Sequence, residues 1–313
     1  MSISFNVQGI DAVTFGVTSR TTAAKFLDHW GLKRLKSGKY GANYICADGT
    51  EVNFRDHKSK TLPKAIQSGS TVREVIWGVE KKSELKAIAE EFSKDRPVKV
   101  LKDGSLRLVD DMGLGIGFRV SQRKKLKPKP LTYNRPGDDV RIDMPATFYE
   151  RAEPQTISHI VFGVPDYRII EKFYGRIGFL ATDRYPGRGV FLRAAKRGNH
   201  HNLFAMNIDA KKPVFNHLAF KVRDIHEVIG GGQFLNKQGW KTAVGPGRHY
   251  ISSACFWYVQ SPFGGALEYC ADEDIMTEKW KTREFEVGPG IFSEWTFNAD
   301  ADFKAPTASS KEK

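Results

Sequence analysis

"HIVFGVPDYRIIEKFYGRIGF", His159 to Phe179, changes period in its middle. Its first six residues alternate as in a half-buried strand, while from Arg168 onward the apolar residues recur at helical spacing of three and four. Three other segments open the same way: "AVTFGV" from Ala12, "EVIWGV" from Glu74 and "HLAFKV" from His217. Each is followed by a helix-patterned stretch: "TAAKFLDHWGL", "SELKAIAEEFSK" and "IHEVIGGGQFLNKQGW". Further short strands follow, among them "ANYICA", "EVNFR", "LRLVD", "GIGFRV", "VFLRAA", "HNLFAMN", "CFWYVQ" and "ALEYCA". The unit is strand, helix and about three strands, and it occurs four times; such internal repetition decides the architecture.

The first strands are 62 residues apart in the front half (74 minus 12) and 58 in the back half (217 minus 159). The 85-residue gap between halves (159 minus 74) holds "SQRKKLKPKPLTYNRPG", Ser121 to Gly137, a basic, proline-rich stretch that makes poor core and good linker. The expected fold is therefore α+β. Residues 1–135 and 136–290 form two domains, each of two βαβββ modules whose curved mixed sheet surrounds a funnel-like cavity. A C-terminal tail, 291–313, ends in the small polar run "NADADFKAPTASSKEK", which is expected to be disordered.

The 313 residues carry a net charge of +13, 40% apolar and 27% charged residues. No recognition-helix, zinc-knuckle or aromatic RNA-binding pattern accompanies the basic stretch, so nucleic acid is not expected as a partner. No apolar run approaches the ~20 residues of a membrane span, and the N-terminus lacks the features of a signal peptide. Three cysteines without metal-type spacing (Cys46, Cys255, Cys270) suit a reducing, cytoplasmic setting.

Within each first strand the second, fourth and sixth residues are apolar and cover the face packed on the helices. The first residue points the other way, into the space the sheet encloses. It is Ala12 or Glu74 in the front half, but His159 or His217 in the back half. In "ALEYCA", Leu267 and Tyr269 take the apolar face, which leaves Glu268 on the inner one. Two histidines and one carboxylate with coordination positions left open make the facial triad of non-heme Fe(II) sites. A metal would supply the countercharge that a carboxylate in an apolar strand requires.

"GRHYISSACFWYVQSPFGGALE", from Gly247, resembles the signature of type I extradiol ring-cleavage dioxygenases of the vicinal oxygen chelate superfamily. His249, Tyr258, Pro262, Gly264 and Glu268 meet it; Trp257 stands where an aliphatic residue or phenylalanine is expected, and Ser252-Ser253 where some members carry aspartate. The resemblance extends over nearly the whole chain, including the empty front domain. It implies Fe(II), or alternatively Mn(II), bound by His159, His217 and Glu268. It also implies His201 as the acid–base histidine, in preference to its neighbour His200, with His249 and Tyr258 donating hydrogen bonds to substrate or oxygen. The implied activity is ring opening of a catecholic or trihydroxylated aromatic by O2, in aromatic-compound catabolism, by an enzyme expected to be a homo-oligomer.

Phe191, Phe204 and Trp257, with Phe256, are expected as cavity walls. Arg248 either aids an anionic ring or forms a surface salt bridge. The stretch "KWKTREFEVGPGIFSEWTF", after Glu268, either closes over the cavity mouth or packs on the domain surface. Two other functions fit the same modules: a glyoxalase- or isomerase-like metalloenzyme, which usually draws four protein ligands, and a non-catalytic small-molecule-binding protein.

Overall fold

The computed structural model describes residues 5–127, 132–146, 150–288 and 290–297. The polar run from Asn298 onward, expected to be disordered, lies outside the described residues, as do residues 128–131 of the basic stretch.

The front half contains β1 (Val7–Val17), α1 (Arg20–His29), β2 (Lys33–Gly38), β3 (Gly41–Ile45) and β4 (Glu51–Asp56), then β5 (Thr71–Val79), α2 (Lys82–Phe92), β6 (Lys99–Val100), β7 (Leu106–Val109) and β8 (Gly115–Val120). The back half repeats this order. It has β9 (Thr156–Val164), α3 (Tyr167–Gly175), β10 (Leu180–Tyr185), β11 (Gly189–Arg193), the short β12 (Gly198–Asn199) and β13 (Leu203–Asn207), then β14 (Val214–Lys221), α4 (Ile225–Lys237), β15 (Thr242–Arg248), β16 (Cys255–Gln260) and β17 (Ala266–Ala271). Short strands β18 (Ile275–Met276), β19 (Arg283–Glu284) and β20 (Trp295–Thr296) complete it.

Two large mixed sheets result, ordered β2-β3-β4-β1-β5-β8-β7-β6 and β19-β10-β11-β13-β9-β14-β17-β16-β15-β20, while β12 and β18 pair separately. In every module the last strand returns parallel beside the first: β4 on β1, β8 on β5, β13 on β9 and β17 on β14. The two modules of each half join through an antiparallel pair of first strands, β1 with β5 and β9 with β14. Three helices start on side-chain caps from Ser19, Asp166 and Asp224, which satisfy backbone N–H groups that the first turn leaves free.

One apolar core runs through both sheets and the helices on them. At its centre the hairpin between β16 and β17 enters the front half. Phe263, fully buried, packs on Phe15 with ring centroids 4.7 Å apart and on Phe26 at 6.1 Å. Gly264 has φ +88°, and a Cβ there would stand 1.9 Å from the Ser70 carbonyl oxygen, so only glycine fits this close approach. Tyr269 stacks on Trp30 at 3.8 Å and donates its hydroxyl to the Trp30 carbonyl at 2.7 Å.

Among the described residues, the register explains why the candidate ligands gather in the back half. His217 on β14 lies opposite Ala266 on β17, and Glu268 follows two residues later on the same face. The equivalent pair in the front is Glu74 opposite Gly115, and two residues later stands Gly117. Ala12 replaces the other histidine, and Glu74 is neutralised by Arg107 at 3.1 Å. The front sheet thus carries an ion pair where the back sheet carries a donor cluster.

One boundary needs correction. Residues 291–297, read from sequence as the beginning of a tail, belong to the back sheet: Trp295 and Thr296 pair with Arg248 and Gly247 of β15. The segment is held by backbone hydrogen bonds, which its irregular sequence does not announce.

Candidate metal centre and active site

Three neighbouring strands present the ligand candidates in one row. His159 on β9 pairs with Ala219 on β14, Ala219 with Glu268 on β17, and Glu268 with Tyr258 on β16. The small Ala219 and Ala266 share this face and leave room between the larger side chains. His217 enters the same space from one step along β14.

The three donors converge. Nε2 of His159 lies 3.2 Å and Nε2 of His217 3.3 Å from Glu268 Oε2, with the two nitrogens 3.3 Å apart. Glu268 is fully buried, and both its oxygens lack a hydrogen-bond partner of good geometry. Burial by itself would raise its carboxyl pKa; the facing imidazoles of His159, His217 and His249 outweigh burial and hold it well below the usual range. Burial lowers the His217 imidazole, so the anionic oxygen faces at least one nitrogen inclined to remain neutral. That donor set, with an orphaned carboxylate, fits a divalent metal ion.

A second group, His159, His201 and Glu273, also comes within metal-binding distances. Its carboxylate is differently occupied. Glu273 Oε2 meets Lys221 Nζ at 3.1 Å and accepts from Ser158 Oγ at 3.1 Å, while His159 Nδ1 lies 3.2 Å from the same Ser158 oxygen. Glu273 thus already has a countercharge, and it orients His159 from behind through Ser158. Outer hydrogen bonds of this kind fix the ring and tautomer of a ligating histidine. On the other side, His217 Nδ1 lies 2.7 Å from Asn216 Oδ1.

The cluster opens on a cavity of about 200 Å³ lined by His159, His217, His201, His249 and Tyr258 with Val161, Tyr185, Phe191, Phe204, Met206, Ile251, Val287, Ile291 and Phe292. His201, two residues before β13, sits with its ring 4.1 Å from that of His159; burial, then the charge of His159, pushes its pKa well below the ordinary value. His249 donates through Nδ1 to the Phe292 carbonyl at 2.9 Å, which leaves Nε2 to accept from the Tyr258 hydroxyl at 3.0 Å. Burial raises the Tyr258 phenol well above its usual range, so it stays protonated. Phe191 and Phe204 stack face to face at 4.0 Å and form a flat wall.

Two expected wall residues, Trp257 and Phe256, do not line the cavity, and Arg248 points away from it. Trp257 faces away from the cavity because its neighbour Tyr258 faces in; it packs on Gly232 of α4 and donates to Thr242 Oγ1 at 2.9 Å. Arg248 likewise points away from the site, to Asp272 at 3.0 Å and Glu294 at 3.6 Å, the salt-bridge alternative. Phe256 backs His249, stacked at 4.1 Å. The segment after Glu268 folds over the mouth, bringing Val287, Ile291 and Phe292 to the cavity. Sequence reading missed Ser158, Asp183 and Glu273. Each is a polar residue in or beside a strand, and spacing alone carries no sign of its partner.

Comparison with known proteins is consistent with this geometry. Residues 156–269 match the family described as the Glyoxalase/Bleomycin resistance protein/Dioxygenase superfamily. Metapyrocatechase 2 of Cupriavidus necator is 29% identical over 146 residues, 46% of this chain and 45% of that protein, so the match spans under half of that relative's length. Among solved structures, the Mn(II)-bound glyoxalase from Novosphingobium aromaticivorans superposes with TM-score 0.76 at 19% identity, covering 98% of this chain and 97% of that one. Homoprotocatechuate 2,3-dioxygenase from Arthrobacter globiformis gives 0.72 at 16% identity, covering 94% and 89%. At such identities these likenesses establish the shared fold.

Proposed function

We propose that this chain, a member of the glyoxalase/bleomycin resistance protein/dioxygenase superfamily through residues 156–269, is a type I extradiol ring-cleavage dioxygenase. It opens a catecholic or polyhydroxylated aromatic ring beside the diol with O2, using Fe(II) held by His159, His217 and Glu268, with Mn(II) as the alternative. The observation that carries this reading is the convergence of those three donors on the floor of an apolar cavity that also holds His201, His249 and Tyr258.

Bound there, the metal supplies Lewis acidity that lets a diol bind as an anion near neutral pH, and an electron path between ring and dioxygen. With His159, His217 and Glu268 as its protein donors, such a metal would have room for further, exchangeable ligands. His201 takes a proton from the diol and returns it as the ring opens, a role suited to an imidazole kept neutral by burial. Tyr258, held by its bond to His249 Nε2, can turn its hydroxyl proton to a ring oxygen on the opposite side, with His249 positioning it. Phe191, Phe204 and Phe292 hold a flat ring between apolar surfaces and limit access of water.

The test is metal analysis with oxygen uptake over a panel of diols and triols, after loading with Fe(II) or Mn(II). One O2 consumed per ring opened is expected. Metal bound in equal proportion to chain, with no oxygen uptake on any diol, would favour the second reading, a glyoxalase- or isomerase-like metalloenzyme. The fold, which the Mn(II)-bound glyoxalase shares, is compatible with that alternative as well.

A further inference from the structure

Behind His201 lies a buried polar chain that the cavity-facing residues do not account for. His200 and Asp183 are both fully buried, and His200 Nε2 lies 2.8 Å from Asp183 Oδ2. Arg283, on β19, grips the same carboxylate: its Nη2 donates to Oδ2 at 2.7 Å, its Nε to Oδ1 at 3.1 Å and its backbone N–H to Oδ1 at 3.2 Å. The other nitrogen of His200, Nδ1, lies 3.1 Å from His201 Nδ1.

The proton positions follow from the ends of this chain. Asp183, with a guanidinium on it, is ionised and only accepts, so His200 Nε2 must carry a proton. Arg283 already supplies the countercharge, so His200 has no need to become a cation. A neutral His200 then offers a lone pair at Nδ1, and the nitrogen opposite must donate: His201 carries its proton on Nδ1. Glu273 Oε1, 3.7 Å from that same nitrogen, is a second acceptor on the same side. The lone pair of His201 is left at Nε2, on a ring that lines the cavity.

We propose that Asp183 and His200 are positioning residues which, through the chain Asp183–His200–His201, hold His201 in its Nδ1–H tautomer and present Nε2 as the basic atom to the substrate. This rests on the dioxygenase reading, in which His201 is the acid–base group. Arg283 ties the chain to the segment that covers the cavity mouth, so the mouth and the base are set together.

The experiment is a long-range ¹H–¹⁵N correlation on the metal-free, ¹⁵N-labelled full chain, with His201 assigned by the signal lost in His201→Phe. Wild type is expected to show His201 as Nδ1–H and His200 as Nε2–H. In Asp183→Asn the amide oxygen stays on the Arg283 Nε and backbone N–H, and its NH2 turns to His200 Nε2. Both tautomers then reverse, and kcat for ring cleavage falls by about 10²–10⁴-fold with KM little changed, the scale of losing a correctly protonated general base. His201 found as Nε2–H in wild type would overturn the proposal without recourse to any variant, as would an unchanged His201 tautomer in Asp183→Asn. A raised KM with kcat intact in that variant would also overturn it. Failure of the Fe(II)-loaded wild type to cleave any diol would overturn the dioxygenase reading instead, because the metal-free spectrum does not depend on turnover.

Discussion

Trp257 and Tyr258 are neighbours on β16 that face opposite ways, and substitutions at the two positions should separate stability from activity. Trp257 is 6% exposed and packs so closely on α4 that a Cβ added at Gly232 would come within 2.1 Å of its ring. Trp257→Ala removes the whole indole from this contact and leaves Thr242 Oγ1 without its 2.9 Å donor. Large-to-small changes of this kind cost about 3–5 kcal/mol, the lost hydrogen bond included. Tyr258→Phe removes one hydroxyl, bonded to His249 at 3.0 Å, and costs about 0.5–1.5 kcal/mol. The order reverses in turnover. Loss of one oriented donor at the reacting atoms is expected to lower kcat about 10²-fold in Tyr258→Phe, while properly folded Trp257→Ala keeps the wild-type KM and substrate profile. Urea unfolding of the metal-free variants, followed by circular dichroism, measures the first pair of numbers, and oxygen uptake the second. A Trp257→Ala protein as stable as wild type but altered in substrate preference would refute the assignment of Trp257 to the helix-facing side.

Glu268→Ala should abolish retention of Fe(II) through gel filtration and reduce ring cleavage below detection, because the two histidines alone lack the anionic donor; stoichiometric metal after filtration would contradict the ligand assignment. Phe292→Ala opens one side of the cavity and should raise KM by up to about tenfold, from the apolar burial lost on binding, with a smaller change in kcat; an unaltered KM would place Phe292 outside the substrate's reach. Asp110 gives a pH prediction remote from the metal: burial pushes its carboxyl up to about 7, despite hydrogen bonds from the Leu114 and Met112 N–H groups and the Tyr174 hydroxyl. A raised folded-state pKa means that its contribution is fully present below the unfolded value of about 3.9 and is lost as pH rises through about 7. Asp110→Asn, whose amide can accept from both N–H groups and donate to Tyr174, should therefore be more stable than wild type at pH 8, by up to about 4 kcal/mol. Equal or lower urea midpoints for the variant at pH 8 would show that the buried carboxylate is well solvated by its donors.

The features legible in sequence were those that a period of two exposes. His159, His217 and Glu268 occupy equivalent inward places in strands whose alternate residues are apolar, so module alignment and alternation sufficed to bring them together. The strand directly after each helix was harder to read. β2, "KRLKSG", is exposed at every residue and has no buried face to create alternation, and β15, "TAVGPGR", is broken by glycine and proline. Trp257 was misplaced by attending to its departure from a signature when its parity with Tyr258 already put it on the other face. Asp183 reaches His200 across 17 residues and Ser158 reaches Glu273 across 115, and a single chain carries no trace of such pairings.

The hairpin tip at Phe263 and Gly264 has a consequence for how this molecule can be divided. Four similar modules suggest parts that could be separated, one half inert and the other reactive. Yet Glu268 is five residues beyond Phe263, which is buried among front-half aromatics, and one residue before Tyr269, which is stacked on Trp30. The strand that delivers the carboxylate is thus clamped at the tip and again beside the ligand by a half that contributes no donor. A back half expressed alone would expose both clamps and lose the register of β17. The ligand-free half serves the metal site as the mould in which it sets.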